Sequence, residues 1–237
     1  MDSLATTGIQ SGRPHFFLSH EDREAGIDVC PTMIARSSIL PHGIAPRKNA
    51  GTTRLTDGPI VFAGRFCFSK GTDVFIRAAR ELLKRRPCLQ FVIAGGHGNA
   101  SDSASVIEFA HRFPNNCQTP GWLTREKLDE LFASASLVLV PSRYEPFGMV
   151  ALEALRTGAP VLGAATGGLA EILTPRSGGG LVGNHDPIEW ANRAEAWLAP
   201  KYNTRTARKH RLRFVETNYG IAPHVETLVN YAEAYPC

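Results

Sequence analysis

Several familiar signatures are missing from this 237-residue sequence. No apolar run approaches the roughly 20 residues that cross a bilayer. The opening MDSLATTGIQSGRPHFF has no basic head followed by a long apolar core, so no targeting segment is expected and the chain reads as soluble. The five cysteines (Cys30, Cys67, Cys88, Cys117 and Cys237) are odd in number, scattered and without a CxxC pair. Neither a zinc site nor a disulfide framework is supported, and a reducing cytoplasm fits best. The histidines form no HExxH pattern, no GxSxG elbow occurs, and no Ser-His-Asp or Cys-His constellation is evident. GRFCFSKGT holds a lysine without Walker A spacing. The formal charge of +4 suggests an anionic ligand but lacks the dense basic stripe of a nucleic-acid surface, so no nucleic-acid partner is expected.

What is present is an ordinary globular balance, 43% apolar and 20% charged. Residues 1–14 read as a polar lead-in, 15–19 (HFFLS) as a strand, and HEDREAG after it as one or two helical turns. Residues 27–57, rich in Pro, Gly and Thr, read as a linker around one extended piece. From residue 59 the pattern becomes regular. Strand-like runs at 60–63, 89–94, 137–140, 160–163 and 180–182 alternate with helical patterns at 72–86, 104–112 and 124–135. Alternation of this kind predicts βαβ units and a parallel sheet covered on both faces. Asp186, Pro187 and Glu189 supply an N-cap, a first-turn proline and a capping-box acid for the next helix. Two further helices are expected at 204–217 and 223–235.

Candidate chemistry gathers where these strands end, because ligands of doubly wound sheets sit outside the C-terminal strand ends. After the first regular strand come Gly64, Arg65, Lys70 and Gly71, which place a guanidinium and an ammonium beside a helix start, suited to a diphosphate. Gly95-Gly96-His97-Gly98 follows the second strand, and His97 is read as a loop residue. The run 137–140 passes through Pro141, Ser142, Pro146 and Gly148 into an apolar helix. Glu145 precedes that helix and Glu153 lies on it, eight residues or roughly 12 Å along an axis rising about 1.5 Å per residue. An extended ligand with an anionic middle would fit between them, at the helix N-terminus. Lys201, Arg205, Arg208, Lys209, Arg211 and Arg213 read most simply as a solvated helix face, with a membrane surface or an anionic acceptor as other uses.

PSRYEPFGMVALEALRTGAPVLGAATGGLAEIL resembles the donor-site signature of retaining glycosyltransferases of the GT-B fold, particularly family 4 and the glycogen and starch synthases. That signature is a Glu-x7-Glu pair, here Glu145 and Glu153, followed by GG-x-x-E, here Gly167 to Glu171. GRFCFSKG is similar to the family's Gly-Arg…Lys-Gly loop. The resemblance covers roughly 59–235 and implies a Rossmann-like doubly wound parallel sheet, one half of a GT-B fold. It implies that Arg65 and Lys70 contact the diphosphate of a nucleotide-sugar and that Glu145 binds sugar hydroxyls. The backbone amides of Phe147, Gly148 and Met149 would complete those contacts, Glu153 would hold the ribose, and Trp122 would neighbour the base. No cofactor or metal is implied, because two cations and a helix N-terminus stabilise the leaving diphosphate. PSRYEPFG makes a glucose donor such as UDP-glucose or ADP-glucose the mild favourite.

The same resemblance divides the chain. Residues 1–55 look like the last strand and linker of an acceptor domain, 56–237 like the nucleotide-sugar-binding domain, and the final helix like the one that crosses back. An acceptor-domain partner chain or a second copy is therefore expected, with the acceptor unknown. Two other readings stay open: a non-catalytic nucleotide-sugar-binding or regulatory module, and a sugar-nucleotide epimerase of similar fold, which accounts for fewer residues.

Overall fold

The computed structural model describes residues 15–31, 34, 37–47, 57–96 and 98–234. Its main body is a six-stranded sheet of β3 (Ile60–Arg65), β4 (Phe91–Gly96), β5 (Cys117–Gly121), β6 (Leu137–Val140), β7 (Val161–Ala164) and β8 (Gly180–Val182). The spatial order is β5-β4-β3-β6-β7-β8 and every pairing is parallel. The chain winds outward from β3 to β5, returns to β6 beside β3, and winds the other way. The crevice between β3 and β6 is thus the topological switch point.

The strands are continuous apolar runs because both faces are covered; all four residues of β6 and of β7 are buried. One face is packed by a ladder of Phe62, Phe75, Phe91 and Phe109, with successive ring centroids 5.3, 6.2 and 6.2 Å apart. Trp190 joins that cluster. The other face packs Val61, Val138 and Val161 against Leu152 and Leu155. The helices follow the sequence. In α2 (Thr72–Arg85), Val74, Phe75, Ala78, Ala79, Leu82 and Leu83 form the buried stripe, and α3 spans Ala100–Arg112, α4 Arg125–Ser134 and α5 Met149–Leu155. The short α6 runs Gly167–Ile172, and in α7 (Pro187–Trp197) the Asp186 carboxylate accepts from the Ile188 and Glu189 N–H groups at 3.3 Å each.

The N-terminal segment forms β1 (His15–Phe17), α1 (His20–Val29) and β2 (Ser37–Ile39), with β1 and β2 paired in parallel. The chain ends in α8 (Arg205–Tyr219) and α9 (Ile221–Ala234). Three contacts dock α1 on α6: the Glu171 carboxylate accepts from the His20 N–H at 2.6 Å and lies 3.0 Å from the His20 Nδ1, and Glu21 accepts from the Gly167 N–H at 2.6 Å. Phe16 meets Tyr231 of α9 edge-on at 4.8 Å. The passage from β2 into the main body touches the α8–α9 junction, where the Ile44 N–H donates to the Tyr219 carbonyl at 2.6 Å.

Four expectations need correction or limits. The helix after β1 has ten residues rather than one or two turns, because Ser19 caps it by accepting from the Asp22 N–H. Strand β5 falls in a stretch read as connection: CQTPG is an edge strand with one buried residue, so it shows no apolar run. Arg208 and Arg211 are not on a solvated face. They are 6% and 1% exposed and donate to the Ala133, Thr157, Gly158, Gly178 and Tyr202 carbonyls. Burial, then the Arg208 charge, pulls the Arg211 guanidinium down to about 10. Residues 1–14 and 235–237 lie outside the described residues.

Candidate active site at the sheet switch point

The loops leaving β3 and β6 meet over the switch point. Their approach requires glycine at 71, where φ is +69° and a Cβ would lie 1.9 Å from the Pro141 carbonyl oxygen. A three-residue turn, Phe68–Lys70, precedes Gly71. From it Lys70 Nζ reaches Glu145 Oε2 at 2.6 Å. The Ser142 hydroxyl donates to the same oxygen at 3.2 Å. The pair is largely withdrawn from solvent, with 24% and 11% of the two side chains exposed, so its attraction is less screened than that of a surface pair.

The Glu145 loop rests on the start of α6. Gly168 N–H donates to the Glu145 carbonyl at 3.0 Å, and at Gly167, where φ is +47°, a Cβ would sit 2.0 Å from that carbonyl oxygen. These approaches give the GG pair a packing reason. Helix α5 then begins at Met149 behind Gly148, which has φ +106° and supplies no side-chain cap. The Gly148 carbonyl takes the Ala151 and Leu152 N–H groups at 3.0 and 3.2 Å, which leaves the Met149 and Val150 N–H groups at the positive end of the helix dipole without a side-chain cap. The Phe147 side chain is buried, edge-on to His42 at 5.4 Å and to Tyr219 at 6.1 Å, so it anchors this loop in the core.

A second group lies one strand over. Arg65 ends β3 in register with Gly96 at the end of β4. It is exposed and makes no ion pair among the described residues. Gly64, just before it, has φ +152°. Trp122 follows β5, is 54% exposed, and its Nε1 lies 3.3 Å from where a Gly96 Cβ would be. Glu153 is half-buried on α5. Burial raises its carboxyl above the ordinary value, the charges of Arg125 and Arg156 oppose that shift, and Asp129 adds to it. The structure thus joins Lys70 with Glu145 directly and brings Trp122 beside Gly96, the register partner of Arg65, while the charges that act on Glu153 are those of Arg125, Arg156 and Asp129. His97 lies outside the described residues.

Sequence reasoning passes over Arg143. Its guanidinium bridges Asp73 at 2.7 and 2.9 Å, donates to the Phe68 carbonyl at 2.8 Å, and covers the Phe68 ring at 3.8 Å. Burial pushes the Asp73 carboxyl up, but the hydrogen bonds and charge of Arg143 outweigh it, so the net shift is downward. The available signal was an acid in the first turn of α2 and an unassigned arginine two residues before Glu145. Neither marks the other in sequence.

The model of the family described as glycosyl transferases group 1 matches residues 47–219, and the chain belongs to that family. It is 35% identical over 217 residues to a D-inositol 3-phosphate glycosyltransferase of Nocardia farcinica, covering 86% of this chain and 46% of that protein. Among solved structures, Anabaena HepE in complex with UDP and glucose superposes with a TM-score of 0.79 at 17% identity, covering 98% of this chain and 66% of that one. Sucrose-phosphate synthase from Thermosynechococcus elongatus gives 0.74 at 24%, covering 92% and 57%. The fold is the Rossmann-like C-terminal half of a GT-B glycosyltransferase. The chain spans less than half the length of the curated relatives it matches, for example 34%, 42% and 46%. Among the described residues no helix is long and apolar enough to cross a membrane.

Proposed function

We propose that the chain binds a nucleotide-diphospho-sugar and serves as the donor half of a retaining glycosyltransferase. The observation that carries this is the Lys70–Glu145 pair at the switch point. In the free protein each group neutralises the other. A diphosphate arriving at the α5 N-terminus takes Lys70 as its counter-ion, which frees Glu145 to accept hydrogen bonds from sugar hydroxyls. As the bond from the sugar to phosphate breaks, charge grows on the leaving diphosphate, and Arg65, Lys70 and the first amides of α5 stabilise it without a metal ion. In this reading Trp122 neighbours the base and Glu153 holds the ribose. UDP-glucose and ADP-glucose are the first donors to test; the acceptor-binding half comes from another chain, a longer product or a second copy.

The test is calorimetry of the intact chain with UDP-, ADP- and GDP-sugars and their nucleoside diphosphates. One donor is expected to bind, and Lys70→Ala to weaken it tenfold or more, the scale of about 1.5–3 kcal/mol for a charged hydrogen bond. Failure of every donor to bind sinks the reading. Binding that never leads to transfer or hydrolysis in the presence of an acceptor half would assign the chain to a binding or regulatory role instead.

A further inference from the structure

We infer that Arg143 and Asp73 form a positioning pair that sets the diphosphate affinity of the site by holding the Lys70 turn against the Glu145 loop. This rests on the proposal that a diphosphate binds beside Lys70. The turn is only three residues long, and its own closing bonds are Lys70 N–H to the Cys67 carbonyl and Gly71 N–H to the Phe68 carbonyl, each 3.0 Å. A lysine on so short a turn has a flexible four-carbon stem, and ordering it costs rotamer entropy.

The Thr72 hydroxyl holds the Cys67 backbone on the helix side, and the strongest ties from the turn to the Glu145 loop and α2 besides the Lys70–Glu145 pair come from residue 143. Its backbone N–H donates to the Ser69 carbonyl at 2.8 Å. Its guanidinium takes the Phe68 carbonyl and covers the Phe68 ring. Two parallel bonds to Asp73 then tie the arrangement to the first turn of α2. The turn before Lys70, the loop before Glu145 and the helix between them are therefore joined at one guanidinium. Both terminal nitrogens are occupied in doing so, which separates Arg143 from exposed Arg65 as a direct ligand. Lysine cannot replace it, because an ammonium offers no planar fork to match the carboxylate.

The test measures UDP, ADP and GDP binding by calorimetry for the wild type, Arg143→Ala, Arg143→Lys, Lys70→Ala and the double variant Arg143→Ala/Lys70→Ala, with the matching nucleoside as control. Arg143→Ala is expected to weaken the diphosphate about tenfold, on the scale of couplings between residues in one network. Nucleoside binding should stay unchanged. Arg143→Lys should fail to rescue, and the double variant should bind no worse than Lys70→Ala alone. The charge-swapped Arg143→Asp/Asp73→Arg chain should recover part of the loss. Undiminished diphosphate binding by Arg143→Ala, or losses in the double variant that simply multiply, would overturn the pair while leaving the proposed function standing. A wild type that binds no nucleoside diphosphate overturns both.

Discussion

The described residues form two parallel sheets, and only the larger is covered. In the six-stranded sheet β6 and β7 are buried at every residue, whereas none of the six residues of β1 and β2 is fully buried. Parallel pairing is stable when both faces are shielded from water, and two three-residue strands cannot provide that shielding themselves. The small sheet is held in place by contacts of a different kind: Phe16 on Tyr231, and the charged bonds of His20 and Glu21 to α6. Helix α9 beside it exposes Ile221, Val225, Leu228 and Val229 at 39–48%. Burial organises the first region, and contacts borrowed from the first region organise the second.

The strongest attack on this contrast is Phe75→Ala, which removes the centre of the phenylalanine ladder. Stability should fall by about 3–5 kcal/mol, read as a shift of the urea midpoint of the whole body; a loss confined to the N-terminal segment would break the comparison. Arg211→Met should cost less, about 2–3 kcal/mol, because it strips a guanidinium from the Gly158, Gly178 and Tyr202 carbonyls inside the same body. Phe16→Ala should cost the least, about 0.5–1.5 kcal/mol. Its expected signature is faster hydrogen exchange in β1 and α1 with protection of β3, β4 and β6 amides unchanged. If protection fell throughout, the two regions would be one cooperative unit.

How much of this was readable in sequence follows the same division. Strands β3, β4, β6, β7 and β8 announced themselves because doubly covered strands are apolar at consecutive positions, and the α7 start was written in Asp186-Pro187. The strand boundaries moved by a residue or two, and α3 begins at Ala100, four residues before its expected start. Strand β5 was invisible because an edge strand needs backbone pairing rather than apolar side chains, and Pro120 argues against it locally. The buried arginines could have been found. Arg208, Arg211 and Val215 are spaced i, i+3, i+7, one face of α8, and that face turned out to be the buried one. At the site, Lys70, Glu145 and the glycines were legible through motif spacing, while Arg143 depended on a partner 70 residues away. Long-range pairing of that kind has no local periodicity to betray it.

The bond between Ile44 and the α8–α9 junction has one more consequence. Ile44 also bridges Gly220 in parallel, so the two places where the peripheral elements join the six-stranded body lie side by side, fastened to each other. Phe147 is wedged between His42 on one passage and Tyr219 on the other, so the loop that carries Glu145 has both peripheral passages as its footing.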